Sequence, residues 1–274
     1  MDFYGIDFSG SADQWKSHVS SPAVWVARLS PGEVPEVKSL VPVQDLPGAG
    51  TPFDRLADLL ADGHFRAAGI DAPFSVPAAY VPANGWRGLI QTVQELPHEG
   101  RPFPGAEVFL QRLTGGEQSK PLRLTEMYWR RKNINVRSTL WWKPRGGAPF
   151  AAACMKLIAK AAAPCWPWVR SVDRGLLVEA FPAAQLKQWG LRHYGYNGKH
   201  DDCRATRDGI VDSLRERVKF GLWLDLARKS ADALDAVIAA FAAIAVAKDA
   251  MKKPDSDHAD GARIEAEGWI SVHR

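Results

Sequence analysis

The chain has 274 residues, 46% of them apolar and 24% charged, with a formal net charge of +4. This is ordinary globular usage at a length that buries a substantial core, so general disorder is excluded and one elaborated domain over 1–274 is expected. Cys154, Cys165 and Cys203 are odd in number and form none of the close pairs used by zinc or redox sites, which points to reduced thiols in the cytoplasm.

The opening Met1-Asp2-Phe3-Tyr4 lacks a basic region followed by an apolar core, so no secretory signal is expected. Residues 2–8 read as a first strand, and Ser9-Gly10-Ser11 as its turn. Ala23 to Leu29 and Glu36 to Val43 supply two more strands between Ser-Pro and Pro-Gly punctuation, and the three together suggest an antiparallel meander. Thr51-Pro52 opens an amphipathic helix in which Phe53, Leu56, Leu59 and Leu60 share a face, closed by Gly63. Ala67 to Ala72 is a buried strand.

Between about 74 and 149 the periodicity fades and Pro, Gly and Arg accumulate, which suggests an elaborated insertion. Arg101 to Phe150 holds ten Lys or Arg against three Glu, so the rest of the chain is slightly acidic and the insertion is the expected contact for an anionic partner. Periodicity returns with a helix at about 150–162, a strand at 176–181 and a short helix at 182–189. Helices at roughly 203–228 and 231–248 follow, then a mobile loop at 252–260 and a last strand at 264–272. The longest apolar run, Ala236 to Ala247, is too short to cross a bilayer and is flanked by Asp235 and Lys248, so no membrane contact is expected. The order of elements suits an α/β fold with a mixed sheet covered on both faces.

Four apolar elements are each interrupted by a carboxylate. Asp7 ends Phe3-Tyr4-Gly5-Ile6, Asp71 ends Ala67-Ala68-Gly69-Ile70, and Glu179 lies within Leu176 to Phe181. Asp235 is the one non-apolar residue from Ala233 to Ala247. An unpaired buried carboxylate costs several kcal/mol or becomes neutral, so such positions need partners or a shared cation. Oxygen-only ligands without nearby Cys or paired His point to Mg²⁺ or Mn²⁺. Asp232, three residues before Asp235, lies on a neighbouring turn and can face the same site. Structural roles stay open beside these: an Asx turn for Asp7 or Asp71, an ion pair with a buried Arg for Glu179, and helix-dipole support for Asp232.

Gly5-Ile6-Asp7, Gly69-Ile70-Asp71-Ala72-Pro73, Val178-Glu179-Ala180-Phe181-Pro182, Asp232-Ala233-Leu234-Asp235-Ala236 and Glu267-Gly268-Trp269-Ile270 resemble, in order, the landmarks of the predicted nucleases of domain-of-unknown-function family 429 (DUF 429). The resemblance implies a ribonuclease H-like fold with strand order 3-2-1-4-5, the first three strands antiparallel. It also implies an acidic metal centre at Asp7, Asp71 and Asp235 with Asp232, while Glu179 belongs to the pattern with a less defined role. Two such metal ions would stabilise the attacking and leaving oxygens of a phosphodiester during hydrolysis, with Asp7 as the bridging ligand. The catalytic set expected is then Asp7, Asp71, Glu179 and Asp235.

The insertion supplies the expected contacts to DNA or RNA. Tyr128-Trp129-Arg130-Arg131-Lys132 and Arg137-Ser138-Thr139-Leu140-Trp141-Trp142-Lys143-Pro144-Arg145 alternate cations with aromatics, a composition suited to phosphate contact and base stacking, with Arg130, Arg131, Arg137 and Trp141 as the foremost candidates. The opposing reading is a solvated basic loop whose tryptophans pack inward. Ser9 and Ser11 are further candidates, because Asp7-Phe8-Ser9-Gly10-Ser11 also resembles the first phosphate loop of actin-like and hexokinase-like ATPases. That class pairs two such domains around its nucleotide, and a second Asp-plus-Gly loop is not evident here, so phosphotransfer ranks below nuclease. A noncatalytic nucleic-acid or protein-binding module of the same fold is the third reading. His193 and His200 suit a surface loop, and Glu265 and Glu267 either extend the acidic cluster or line an exposed strand face.

Overall fold

The computed structural model describes residues 1–117, 120–143, 146–170, 172–251 and 260–274. Pro144 and Arg145 of the basic insertion, and 252–259 of the expected mobile loop, lie outside them.

Strands β1 (Phe3–Asp7), β2 (Trp25–Leu29) and β3 (Val37–Pro42) form the antiparallel meander. Helix α1 (Pro52–Asp62) follows, with Thr51 and Asp54 in a reciprocal capping box and Gly63 left-handed at its end. Strands β4 (Ala67–Asp71) and β5 (Leu176–Glu179) then add in parallel, so the described sheet has the order β3-β2-β1-β4-β5.

The segment expected to be irregular contains helices α2 (Gly85–Glu95), α3 (Ala106–Thr114) and α4 (Leu124–Arg131). Helix α5 (Ala148–Ala161) follows, and beyond the sheet come α6 (Pro182–Gln188), α7 (Asp201–Leu214), α8 (Leu224–Lys229), α9 (Ala231–Ala247) and α10 (Gly261–Glu267). Two expectations are corrected. The single helix at 203–228 is broken into α7 and α8, where Gly221 adopts a φ of 56°. The closing strand at 264–272 is instead α10, capped by the Asp260 side chain and ended by Gly268 at a φ of 74°, followed by an extended tail. Among the described residues, no helix is long and apolar enough to cross a membrane.

The pleat sorts the sheet's side chains into two cores. Phe3, Ala27, Leu29, Ala67 and Val178 pack on the face covered by α6, α7 and α9, whereas Ile6, Val26, Ala68, Ile70 and Leu177 meet α1 and α5 on the other. Helix α9 is buried almost throughout and lies close on β1 and β4. Gly5 and Gly69 are register partners, and their missing side chains make that approach possible. A Cβ at Gly5 would stand 2.0 Å from the carbonyl oxygen of Ala236, and one at Gly69 would stand 2.0 Å from that of Ala239. Gly5→Ala is therefore expected to destabilise the fold by about 1–3 kcal/mol in urea denaturation. Gly32→Ala is the control, because a Cβ there would find its nearest neighbour at an ordinary 3.5 Å. Equal denaturation midpoints for the two variants would contradict this packing.

Candidate functional site

Strand parity places the acids. Asp7 is two residues beyond Gly5 and Asp71 two beyond Gly69, so both project towards α9 from the C-terminal ends of adjacent parallel strands, as direct register partners. Asp235 enters from the second turn of α9 and Asp232 from its first, where Ser230 caps the helix by accepting a hydrogen bond from the Ala233 amide at 3.1 Å. The C-terminal edge of a parallel sheet is where α/β proteins commonly place ligands.

Burial raises the Asp7 carboxyl well above the usual carboxylate range, and Asp235, Asp71 and Asp232 add to the shift in that order, against a hydrogen bond from the Phe8 amide. Asp71 is pushed up to about 7 by burial and then by Glu179. Asp235 is raised by burial and next by Asp71, opposed by the Tyr196 hydroxyl, which donates to its Oδ1 at 2.8 Å, and by Arg207. Burial also raises Asp232, again opposed by Arg207. The four acids thus share one electrostatic neighbourhood. Among the described residues, no three His, Cys, Asp or Glu side chains stand gathered as a ready metal cage.

Tyr196 and Arg207 escape sequence reasoning because their partners are remote in the chain. Arg207 is buried and donates to the carbonyl of Arg228 at 2.6 Å, to that of Lys229 at 3.3 Å and to that of Tyr196, so it ties the end of α8 to the loop that carries Tyr196. A positive side chain beside a loop tyrosine leaves no periodic trace. On the same loop His200 is exposed and His193 half-buried.

Glu179 stands apart. It is in register with Ile70 and shares the face of Leu177, so it points to the α5 side of the sheet rather than to α9. There it receives two hydrogen bonds from the buried Arg123 guanidinium, 2.8 Å from Nη1 to Oε2 and 2.5 Å from Nη2 to Oε1, and another from the Phe74 amide at 3.0 Å. The ion-pair role left open for Glu179 is the one this geometry supports. Glu267, expected to extend the acids or sit on an exposed face, is buried and accepts from the Ala78 and Leu124 amides, while Glu265 is exposed and pairs with Arg170 at 3.0 Å.

The expected nucleic-acid contacts separate into groups. Arg137 lines a cavity of about 300 Å³ together with Asp71, Asn135, Phe150 and Phe181. Arg130 and Arg131 are exposed at the end of α4 and do not border it, and Arg130 donates to the Val136 carbonyl at 2.9 Å. Trp141 is half-buried, with the Lys120 ammonium 3.8 Å from its ring centroid. Tyr128 and Trp129 pack in a core with Trp269 and Ile270, so these two aromatics offer no stacking surface. The Ser9 hydroxyl accepts from the Ser11 amide at 3.2 Å, and Ser11 borders a wider groove with Lys16 and Arg101. Gly10 between them packs on the start of α5, where a Cβ would meet the Phe150 nitrogen at 2.6 Å.

A family model described as "Protein of unknown function (DUF429)" matches residues 13–259, a span that contains Asp71, Glu179, Asp232 and Asp235 while Asp7 precedes it. No curated protein and no solved structure matches the chain significantly.

Proposed function

The chain belongs to the DUF429 family, and on that premise we propose that it is a divalent-metal-dependent nuclease of ribonuclease H-like fold that hydrolyses phosphodiester bonds of DNA or RNA. One observation carries the reading. Asp7 and Asp71 stand side by side at the ends of two parallel strands, facing Asp235 and Asp232 of α9, and each of the four is held above its ordinary pKa. Buried carboxylates that raise one another's pKa have too few cationic partners to be stable as anions, and a hard cation that accepts oxygen ligands supplies what is missing. Among the described residues no three acids stand gathered as a ready cage, so the fit lies in the chemistry of the donors: oxygen-only ligands suit Mg²⁺ or Mn²⁺, and Asp7, Asp71 and Asp235 are the residues that would have to close on it. Bound there, the cation would contribute charge stabilisation and a more acidic water.

The other parts follow from the chain's own side chains. Tyr196 orients Asp235 through its hydroxyl, and Arg207 holds the Tyr196 loop in place. Arg137, which lines the same cavity as Asp71, is the side chain assigned to a phosphate oxygen. Glu179, engaged by Arg123, lines the same cavity as Asp71 and its field raises the Asp71 pKa, so it acts as a structural neighbour of the acids. Asp232, partly exposed at the start of α9, suits water positioning.

The test is a cleavage panel of DNA, RNA, hybrid and branched substrates in Mg²⁺ or Mn²⁺, comparing wild type with Asp7→Asn and Asp235→Asn. The expected outcome is cleavage of at least one substrate by wild type and a loss of roughly a hundredfold or more in both variants. Equal rates in all three proteins would overturn the assignment. ATP turnover without strand cleavage would move it to the phosphotransfer class.

A further inference from the structure

We propose that the cavity beside Asp71 is a pocket for one unpaired nucleoside of the substrate, so that the site acts on single-stranded, flapped or flipped-out nucleotides rather than on uninterrupted duplex. This rests on the nuclease reading and adds to it a substrate class and three recognition residues. The cavity measures about 300 Å³, at the lower end of small-molecule sites, which accommodates one nucleoside and not a base pair.

Its walls carry the chemistry that recognises a base. Phe150 and Phe181 supply aromatic surface, and Phe150 remains 37% exposed despite its size. Asn135 brings an amide with both donor and acceptor, the requirement for reading a base edge, and Arg137 brings a fixed positive charge for the attached phosphate. The position of the wall is set by the backbone. A Cβ at Gly146 would stand 1.6 Å from the Trp141 carbonyl oxygen and one at Gly147 would stand 2.7 Å from that of Ser138, so the two glycines lie tight against 138–141 just before α5 and Phe150. The Phe150 backbone nitrogen packs on Gly10, three residues beyond Asp7, so the residue whose side chain borders the cavity is anchored by its main chain on the loop leaving the acidic centre. Asp71 lines the same cavity, so a nucleoside held there lies beside the acidic centre through that residue. Extruding a base into such a pocket is least costly where the base is already unpaired.

Calorimetric titration of the full chain in EDTA with each of the four nucleoside 5′-monophosphates, and with inorganic phosphate as the anion-only probe, tests the pocket without any metal. At least one monophosphate is expected to bind with one-to-one stoichiometry, at least tenfold more tightly than phosphate. Phe150→Ala and Asn135→Ala are each expected to weaken it by about fivefold or more with an unchanged melting temperature. Monophosphates that bind no better than phosphate, or binding that neither replacement alters, would overturn the proposal. Nucleotide binding without metal-dependent cleavage would leave the pocket standing and remove the nuclease reading. Cleavage that Asp7→Asn abolishes, in a protein that does not bind monophosphates, would do the reverse.

Discussion

Arg123→Ala is expected to lower the stability of the fold by about 3–5 kcal/mol, because it leaves buried carboxylates without their cation. Arg123 is 1% exposed. Burial opposes its charge, and the fields and hydrogen bonds of Glu179 and Glu126 more than offset that, so its pKa is raised. Its Nε donates to Glu126 at 2.9 Å, its two terminal nitrogens grip Glu179, and Nη1 also reaches the Glu267 carbonyl at 3.1 Å. One side chain thus joins the start of α4, the end of β5 and the end of α10. Alanine removes every one of these donors while Glu126 and Glu179 stay 2% exposed. Lysine is expected to recover little, since an ammonium cannot reproduce two parallel bonds to one carboxylate together with a third to another. Urea denaturation measures the effect, and a loss below about 1 kcal/mol would show that the network contributes little. The triple replacement Arg123→Met, Glu126→Leu, Glu179→Leu is expected to recover much of the loss, because removing all the charges together leaves none of them unpaired.

The parts of the molecule that were legible in the sequence are those written locally. Thr51-Pro52 and Gly63 mark α1 within one residue of its observed ends. The unbroken apolar run after Asp235 marks a buried helix, and α9 spans Ala231–Ala247 as that run requires. The acids of the site were visible for the same reason, since a carboxylate at the end of Gly5-Ile6 or Gly69-Ile70 contradicts its own element. The helices between 74 and 149 were not legible. They are eight to eleven residues long, separated by Pro and Gly, and α2 and α3 bury their apolar sides in a small core of their own with Val76, Leu140 and Met155. The end of the chain misled because Ile270 and Val272 are spaced as in a strand, yet the tail is buried by packing on α4 and forms no ladder in the described sheet, although the Ser271 amide donates to the Glu179 carbonyl at 3.0 Å. Partnerships such as Arg123 with Glu179, 56 residues apart, and Tyr196 with Asp235, 39 apart, leave no mark in local pattern. Charge in the basic insertion reads as surface, and among its described residues Arg123 is the cation that the fold buries.

The acidic centre is expected to make the metal-free protein less stable at pH 8 than at pH 5.5, and divalent cation to reverse that difference. Asp71 has an ordinary pKa near 3.8 and is pushed to about 7 in the fold, so between those values the native state holds a proton that the unfolded chain has released. Stability from this group is therefore full below the unfolded pKa, falls as pH rises, and levels off above the folded one, a difference on the order of a few kcal/mol. Asp7 and Asp235 are raised as well, chiefly by burial, and act in the same direction over a range that extends higher. His273 acts oppositely, because burial lowers its pKa and costs stability as the pH falls, so the decisive comparison is between wild type and a variant that keeps His273. Asp235→Asn is that variant: its side-chain oxygen can still accept the Tyr196 hydroxyl, and its charge is gone. In EDTA at pH 8 the variant is expected to melt about 5 °C or more above wild type, and at pH 5.5 the gap is expected to shrink. Mn²⁺ binds the carboxylate forms and displaces their protons, so it is expected to raise the wild-type melting temperature strongly at pH 8, weakly at pH 5.5, and less in the variant at both. A wild-type protein that melts equally with and without Mn²⁺ at pH 8 would remove the metal from the mechanism. The acids would then be a buried cluster without a metal partner, and the case for phosphodiester hydrolysis would fall with it.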